Sequence, residues 1–341
     1  MIELKRLAID TSKHVFTLHG VDAADRPVLR RELRRGRFEA FLAGLAPTEV
    51  VLEACGGSHH WGRRALALGH RVRLIPPQYV KPFRKRGKND RIDAEAISEA
   101  ASRPGMASVP VKPAEAQAQG MLLKTRELLV KQRTQTANAL RGHAAEYGVI
   151  AAQGIGQVGP LLAAVAAAEP AVPALAQALL ARLGRQIAHL DAEIAALEAE
   201  LLALHKAHPV SQLLAGVPGI GPVTAISLAL AIDPAQFTSG RHLAAFLGLT
   251  PSQRSTGGKT RLGHISRAGN RRLRTLLVVG ATAVIRHARP GARLASPWLL
   301  ALLARKPRKL AAVALVNKMA RIAWAMMTRG EAYRGPTRVA A

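Results

Sequence analysis

The first 75 residues constrain the fold more than any other stretch, because their hydrophobic pattern changes period in a set order. Residues 4–10 and 14–20 are apolar-rich runs around the short turn Thr11-Ser12-Lys13, the pattern of a β-hairpin. Residues 27–33 can supply a third strand, 38–45 a helix, 49–53 a short buried strand, 61–68 a second helix and 71–75 a fifth strand. Three strands in succession, then strand and helix in alternation, predict a mixed sheet with helices packed against it.

After Pro76 and Pro77 the chain turns basic through Lys81, Arg84, Lys85, Arg86 and Lys88, and Asn89 stands where it can cap a helix over residues 90–101. Pro104, Gly105, Pro110 and Pro113 mark the end of a first domain, expected over residues 1–110. Residues 114–147 hold no proline and suit a long helix. A second long helix over 176–206 carries Leu183, Ile187, Leu190, Ile194, Leu197, Leu201 and Leu204, alternating spacings of four and three. That is a heptad seam, and it can close on the earlier helix or on another protomer. Isoleucine at one core position with leucine at the other favours two strands, so the expectation is an intermolecular seam. Residues 111–208 then form a helical coiled-coil connector in a homo-oligomer, dimer or tetramer. Gly154-Ile155-Gly156-Gln157-Val158-Gly159 is formally GxGxxG but follows no strand signal, which makes it a loop rather than a dinucleotide site.

Charge decides the class of partner. The chain has 49 Lys and Arg against 22 Asp and Glu, a net +27, and a folded protein tolerates that self-repulsion when its partner is a polyanion. Residues 209–341 carry 20 basic side chains and two acids, Asp233 and Glu331. Arg254, Lys259, Arg261, Arg267, Arg271 and Arg272 lie in a Gly- and Ser-rich segment there. With Lys85, Arg86 and Lys88 they are the expected nucleic-acid contacts. The same region opens with Val217-Pro218-Gly219-Ile220-Gly221-Pro222, two short helices joined by a glycine turn whose free N–H groups suit a phosphate or whose glycines suit a tight corner. The Ala-rich stretch 161–183 is cut by Glu169, Pro170 and Pro173, and the apolar 310–327 by Lys318 and Arg321, so no membrane span is expected. With one cysteine and no signal-peptide pattern, the expected location is cytoplasmic and nucleoid-associated. Cys55 is expected to be a small core residue.

In so basic a chain, carboxylates at the ends of buried strands stand out. Asp10 follows Leu7-Ala8-Ile9, and Glu53 follows Val50-Val51-Leu52. On neighbouring strands the two would repel unless a cation lay between them. Asp90 and Asp93, three apart on a helix, share one face. Singly, each acid has a plainer use as a cap or surface ion pair, and Asp90 as N-terminal helix charge. Together they are four oxygen donors without a His or Cys set, which specifies Mg²⁺ or Mn²⁺. Two such ions about 3.5–4 Å apart can activate the attacking oxygen and stabilise the leaving oxygen of a phosphodiester.

Three blocks around these acids, Ala8-Ile9-Asp10-Thr11-Ser12-Lys13, Leu52-Glu53-Ala54-Cys55-Gly56 and Lys88-Asn89-Asp90-Arg91-Ile92-Asp93-Ala94, resemble those of the DEDD transposases of the insertion-sequence 110 family. The segments 217–222, 246–251, 255–263 and 265–270 resemble that family's second domain, and are most similar to its 1111 subgroup. The resemblance implies a RuvC-like (RNase H-like) first domain, a helical coiled-coil connector and a mainly helical second catalytic domain over 209–341. It implies a recombinase that cuts and rejoins donor and target DNA, with Asp10, Glu53, Asp90 and Asp93 as its metal-binding tetrad. It further implies a serine nucleophile in the second domain and an element-encoded guide RNA of the bridge type. Many members have Ser directly before Gly-Gly-Lys, whereas this chain has Thr256 there and Ser255 one place earlier. Ser255 is the favoured nucleophile, because its primary hydroxyl is less hindered than the β-branched one of Thr256. The rival expectations are a RuvC-like nuclease hydrolysing branched DNA and a non-enzymatic packaging protein.

Overall fold

The sheet is built around β1 (Arg6–Thr11), which pairs antiparallel with β2 (Val15–Val21) and parallel with β4 (Glu49–Glu53). β3 (Pro27–Arg34) lies outside β2 and β5 (Arg71–Ile75) outside β4, giving the order β3-β2-β1-β4-β5. This is the mixed sheet that the sequence pattern predicts. Leu7, Ala8 and Ile9 are all buried, as a central strand covered on both faces requires, whereas β3 begins with Pro27 and is mostly exposed, as an edge strand tolerates. Alternation along the strands sorts the two faces. Leu7, Ile9, Val50 and Leu52 pack with Phe38 and Leu42 of α1 (Arg35–Ala43) and Trp61 of α2 (Ser58–Ala67). Ala8 and Val51 pack on the other face with Ala96 and Ile97. A short α3 (Pro77–Val80) and a single 3₁₀ turn lead toward α4 (Asp90–Ser102), which carries those two residues.

The computed structural model describes residues 3–85, 89–168, 171–290, 292 and 296–335. It divides into two units, Met1–Gln117 and Ala118–Ala341. The first boundary thus falls a few residues beyond the expected 110, inside α5 (Ala114–Ala145).

In the second unit α5 is followed by α6 (Val158–Ala167) and α7 (Ala174–Ala207). Arg126 Nε donates to Glu198 at 2.9 Å and Arg133 to Asp191 at 2.5 Å, so α5 and α7 run in opposite directions as a helical hairpin. Ile187 packs with Ala137, Leu140 and Leu161, and Leu201 with Leu123 and Ile226. The heptad seam is therefore closed within one chain, which corrects the intermolecular expectation. The isoleucine and leucine preference is a rule for parallel pairs, and it does not carry over to an antiparallel hairpin whose connection is short enough for the chain to return on itself.

α7 also packs on α8 (Pro209–Ala215) and α9 (Pro222–Ala231), and Leu201 and Ile226 share one cluster. Residue 208 is consequently no packing boundary, and the expected connector is continuous with α8 and α9. Then come α10 (Gly240–Phe246), the hairpin of β6 (Pro251–Gln253) and β7 (Leu262–Ile265), α11 (Arg271–Arg286), α12 (Pro297–Arg305) and α13 (Arg308–Arg329). Val217, Ile220, Leu243, Leu247, Leu277, Val316 and Met319 are buried together in its core. Gly219 has φ +88° and a Cβ on Gly280 would lie 1.8 Å from its carbonyl oxygen. The glycine turn is thus pressed backbone to backbone on α11, so its glycines serve a tight corner. α13 is the one helix among the described residues long and apolar enough to cross a membrane, and Val316, Met319, Ala320, Ala323 and Met326 commit its apolar face to this core.

Candidate active site

Side-chain alternation decides where the strand acids point. The last registered pair between β1 and β4 is Ile9↔Leu52, and one residue further each strand carries its acid. Asp10 follows the face of Ala8 and Glu53 that of Val51, the face covered by α4. At the start of α4 the Asn89 side chain accepts from the Ile92 N–H at 2.8 Å, a cap that fixes the first turn. Asp90 and Asp93, on one side of that turn, meet Asp10, so that a carboxylate oxygen from each of the three lies within 4.8 Å of the others. Asp90 is exposed and Asp93 is buried.

Burial pushes the Asp10 carboxyl up from 3.8 to about 6, with Asp93, Asp90 and Glu53 adding like-charge repulsion and Arg84 opposing it. A cluster that raises its own carboxyl in this way is short of positive charge. Oxygen donors alone, close together and partly buried, fit a hard divalent cation.

Glu53 stands apart from the other three. Its Oε2 accepts from Arg84 Nη2 at 3.0 Å, while Arg84 Nε lies 3.0 Å from Asp93 Oδ1. One guanidinium thus bridges two of the four expected ligands. The basic run 81–88 pointed to nucleic acid and gave no reason to place Arg84 among the acids. Cys55 is exposed, contrary to the core position expected for it, because β4 ends at Glu53 and the chain has already left the sheet. Its Sγ lies 3.5 Å from Thr11 Oγ1.

The Gly- and Ser-rich serine segment is a hairpin. Gly257 and Gly258 have φ of +54° and +75°, both positive as a two-residue type I′ turn requires, and Thr256 and Lys259 close it. A Gly-Gly pair between short extended runs was the available sequence signal. Ser255 is exposed, and its Oγ accepts from Gln253 Nε2 at 2.8 Å and from the Arg261 N–H at 3.1 Å. Donors aimed at a hydroxyl oxygen favour its deprotonated form. Among the described residues the Thr256 side chain makes no hydrogen bond, and its carbonyl accepts from Lys259 N in the turn.

Arg254, Lys259, Arg261, Arg267 and Arg271 are exposed, and among the described residues none is paired with a carboxylate. Arg272 departs from that set. It is half-buried, its Nε is 3.7 Å from Glu127 Oε2, and burial holds its guanidinium below the usual arginine value. Lys85 is paired with Glu95 at 2.7 Å, and Arg86 and Lys88 lie outside the described residues.

A mixed sheet whose central strand brings Asp10 against Asp90 and Asp93 of the facing helix gathers oxygen donors of the kind that divalent-metal sites acting on phosphodiesters use. Residues 7–148 match a family model described as a DEDD-type transposase, and residues 211–295 match the model of the IS116/IS110/IS902 transposase family. The chain is 51% identical over 334 residues to the "Putative transposase y4pF/y4sB" of Sinorhizobium fredii, covering 97% of this chain and 86% of that protein. It is 46% identical to the "Probable family 20 transposase" of Pseudomonas aeruginosa, over 98% and 99% of the two chains. To the "Transposase for insertion sequence element IS1111A" of Coxiella burnetii it is 41% identical, over 98% and 92%. This chain belongs to the IS116/IS110/IS902 family of insertion-sequence transposases.

Proposed function

We propose that this transposase cuts and rejoins DNA through a covalent serine–phosphate link made by Ser255, assisted by Mg²⁺ and directed by an element-encoded RNA. The observation that carries the reading is the convergence of Asp10, Asp90 and Asp93 within 4.8 Å. Those three, with Glu53 once it is released from Arg84, would hold the metal. When bound there, a divalent ion supplies Lewis-acid stabilisation of charge on phosphate oxygens. Everything else falls to the chain's own groups.

Ser255 gives up its hydroxyl proton as Oγ attacks phosphorus, forming a Ser–O–P ester as the bond to one deoxyribose oxygen breaks, and the proton count balances when that leaving oxygen takes up one proton. The N–H donors of Gln253 and Arg261 on Oγ stabilise the developing alkoxide. Unpaired cations beside it, Arg254 and Lys259, neutralise phosphate charge. Attack by a second DNA hydroxyl on the ester reverses the step and releases serine, so rejoining consumes no nucleotide. The RNA partner is supported by the family resemblance and by the net charge of +27. A cytoplasmic location is the reading that suits a DNA substrate in bacterial cells such as those of the relatives.

The test is strand cleavage in Mg²⁺ beside DNA affinity. Asp10→Ala and Asp93→Ala should abolish cleavage while affinity stays within about threefold, since cations rather than acids supply the binding. Cleavage by Asp10→Ala at the wild-type rate would overturn the metal-site reading.

A further inference from the structure

A second cationic feature lies on α13. While one face of α13 is buried in the core, an adjoining face lines a cleft of about 740 Å³ with the start of α10 and with Trp298 of α12. Its size is that of a small-molecule or nucleotide site. Arg241, Lys318 and Arg321 all border it, no acid does, and among the described residues none of the three is ion-paired. Three cations around one cleft repel one another, an arrangement that is stabilised by an anion among them.

The remaining walls combine Trp298, Trp324 and Asn317 with the aliphatic Ala314, Ile322 and Ala325. Trp298 is 40% exposed, and Lys318 Nζ sits 4.3 Å from the centroid of its ring. The Lys318 ammonium thus lies over the indole ring, a cation–π contact that a base can replace. Trp324 is fixed by its indole N–H, which donates to the Pro234 carbonyl at 3.2 Å. Asn317 donates through Nδ2 to the Leu249 carbonyl at 3.4 Å, which leaves its Oδ1 as an acceptor for a base edge. Gly240 explains why the cations share one cleft. A Cβ there would lie 3.0 Å from both Cα and O of Arg321, so the absence of a side chain seats α10 directly on α13 and brings Arg241 beside Arg321.

We propose that this cleft binds an unpaired nucleotide of a single strand, its base stacked on Trp298 and its flanking phosphates held by Lys318, Arg241 and Arg321. A duplex cannot use the site in this way, because its bases are stacked on each other. The site requires neither the metal cluster nor Ser255, and binding measured in EDTA separates it from the catalytic reading.

The experiment is fluorescence anisotropy of the full-length chain with labelled oligo(dT), oligo(rU) and a duplex of equal length, all in EDTA. Trp298→Ala should weaken single-strand binding about tenfold, the loss of one base–aromatic stack, and change duplex binding less than about twofold. Trp298→Phe should keep most of the affinity. Lys318→Gln should weaken single-strand binding and leave the salt dependence of duplex binding unchanged. An effect confined to oligo(dT) identifies the strand as DNA, one confined to oligo(rU) as RNA, and either supports the site. Equal loss on the duplex, or single-strand affinity unchanged in Trp298→Ala with the circular dichroism of wild type, would overturn it.

Discussion

Replacing Asp10 by asparagine should stabilise the metal-free protein, although it removes a central acid of the candidate site. In the folded chain the Asp10 carboxyl is raised from 3.8 to about 6, chiefly by burial and then by Asp93, Asp90 and Glu53. The folded value lies above the unfolded one, so folding favours the protonated form. The penalty for keeping the charge is absent below about pH 4, grows as pH rises, and is complete above about pH 6. A shift of about two units corresponds to at most about 3 kcal/mol, and solvent reaching a half-buried side chain reduces this to about 1–2 kcal/mol. Asp10→Asn should therefore match wild type near pH 4 and exceed it by about that amount at pH 7.5. Trp61 is the sole tryptophan of residues 1–117, so urea unfolding in a Trp298→Phe, Trp324→Phe background reports on this unit. Mg²⁺ should close the gap by stabilising wild type alone. A gap independent of pH, or a variant less stable than wild type at pH 7.5, would show that the Asp10 charge is not a cost in the folded chain.

Arg84→Gln removes the guanidinium between Glu53 and Asp93 and should tighten Mn²⁺ binding by about three- to tenfold in calorimetry, the effect of withdrawing one competing cation; unchanged affinity would show that Arg84 does not compete. Changing Ile187 and Ile194 to Asp should lower the helix content without lowering the mass measured by light scattering, since this seam closes within the chain; a halved mass with intact circular dichroism would restore the intermolecular seam.

The sheet was legible because Leu7-Ala8-Ile9 and Val50-Val51-Leu52 are unbroken apolar runs, and an apolar run of that length between turn signals has few uses other than a buried strand. The acids were legible for the same reason, since a carboxylate directly after such a run lies at the end of a strand. That Asp10 and Glu53 would share the face of α4 was not, because it depends on the register Ile9↔Leu52, a long-range pairing. The heptad seam announced a partner without naming it, as the periodicity of Ile187 and Ile194 is identical whether the facing helix belongs to the same chain or another. β6 and β7 were hidden by their brevity: three and four residues hold too few side chains to show alternation, and Gly257-Gly258 alone carried the signal. Arg84 was hidden because a charge run resembles any other until the fold turns one member of it toward the acids.

The covalent route through Ser255 leaves a protein–DNA link that can be trapped. Wild-type protein is incubated with labelled DNA, the RNA transcribed from the element and Mg²⁺, then denatured, digested and mapped by mass spectrometry. An adduct is expected on the peptide containing Ser255 and Thr256, lost in Ser255→Ala and kept in Thr256→Ala. An adduct lost in Thr256→Ala but kept in Ser255→Ala would move the nucleophile to threonine, and cleaved ends without any adduct would contradict the covalent route in favour of hydrolysis.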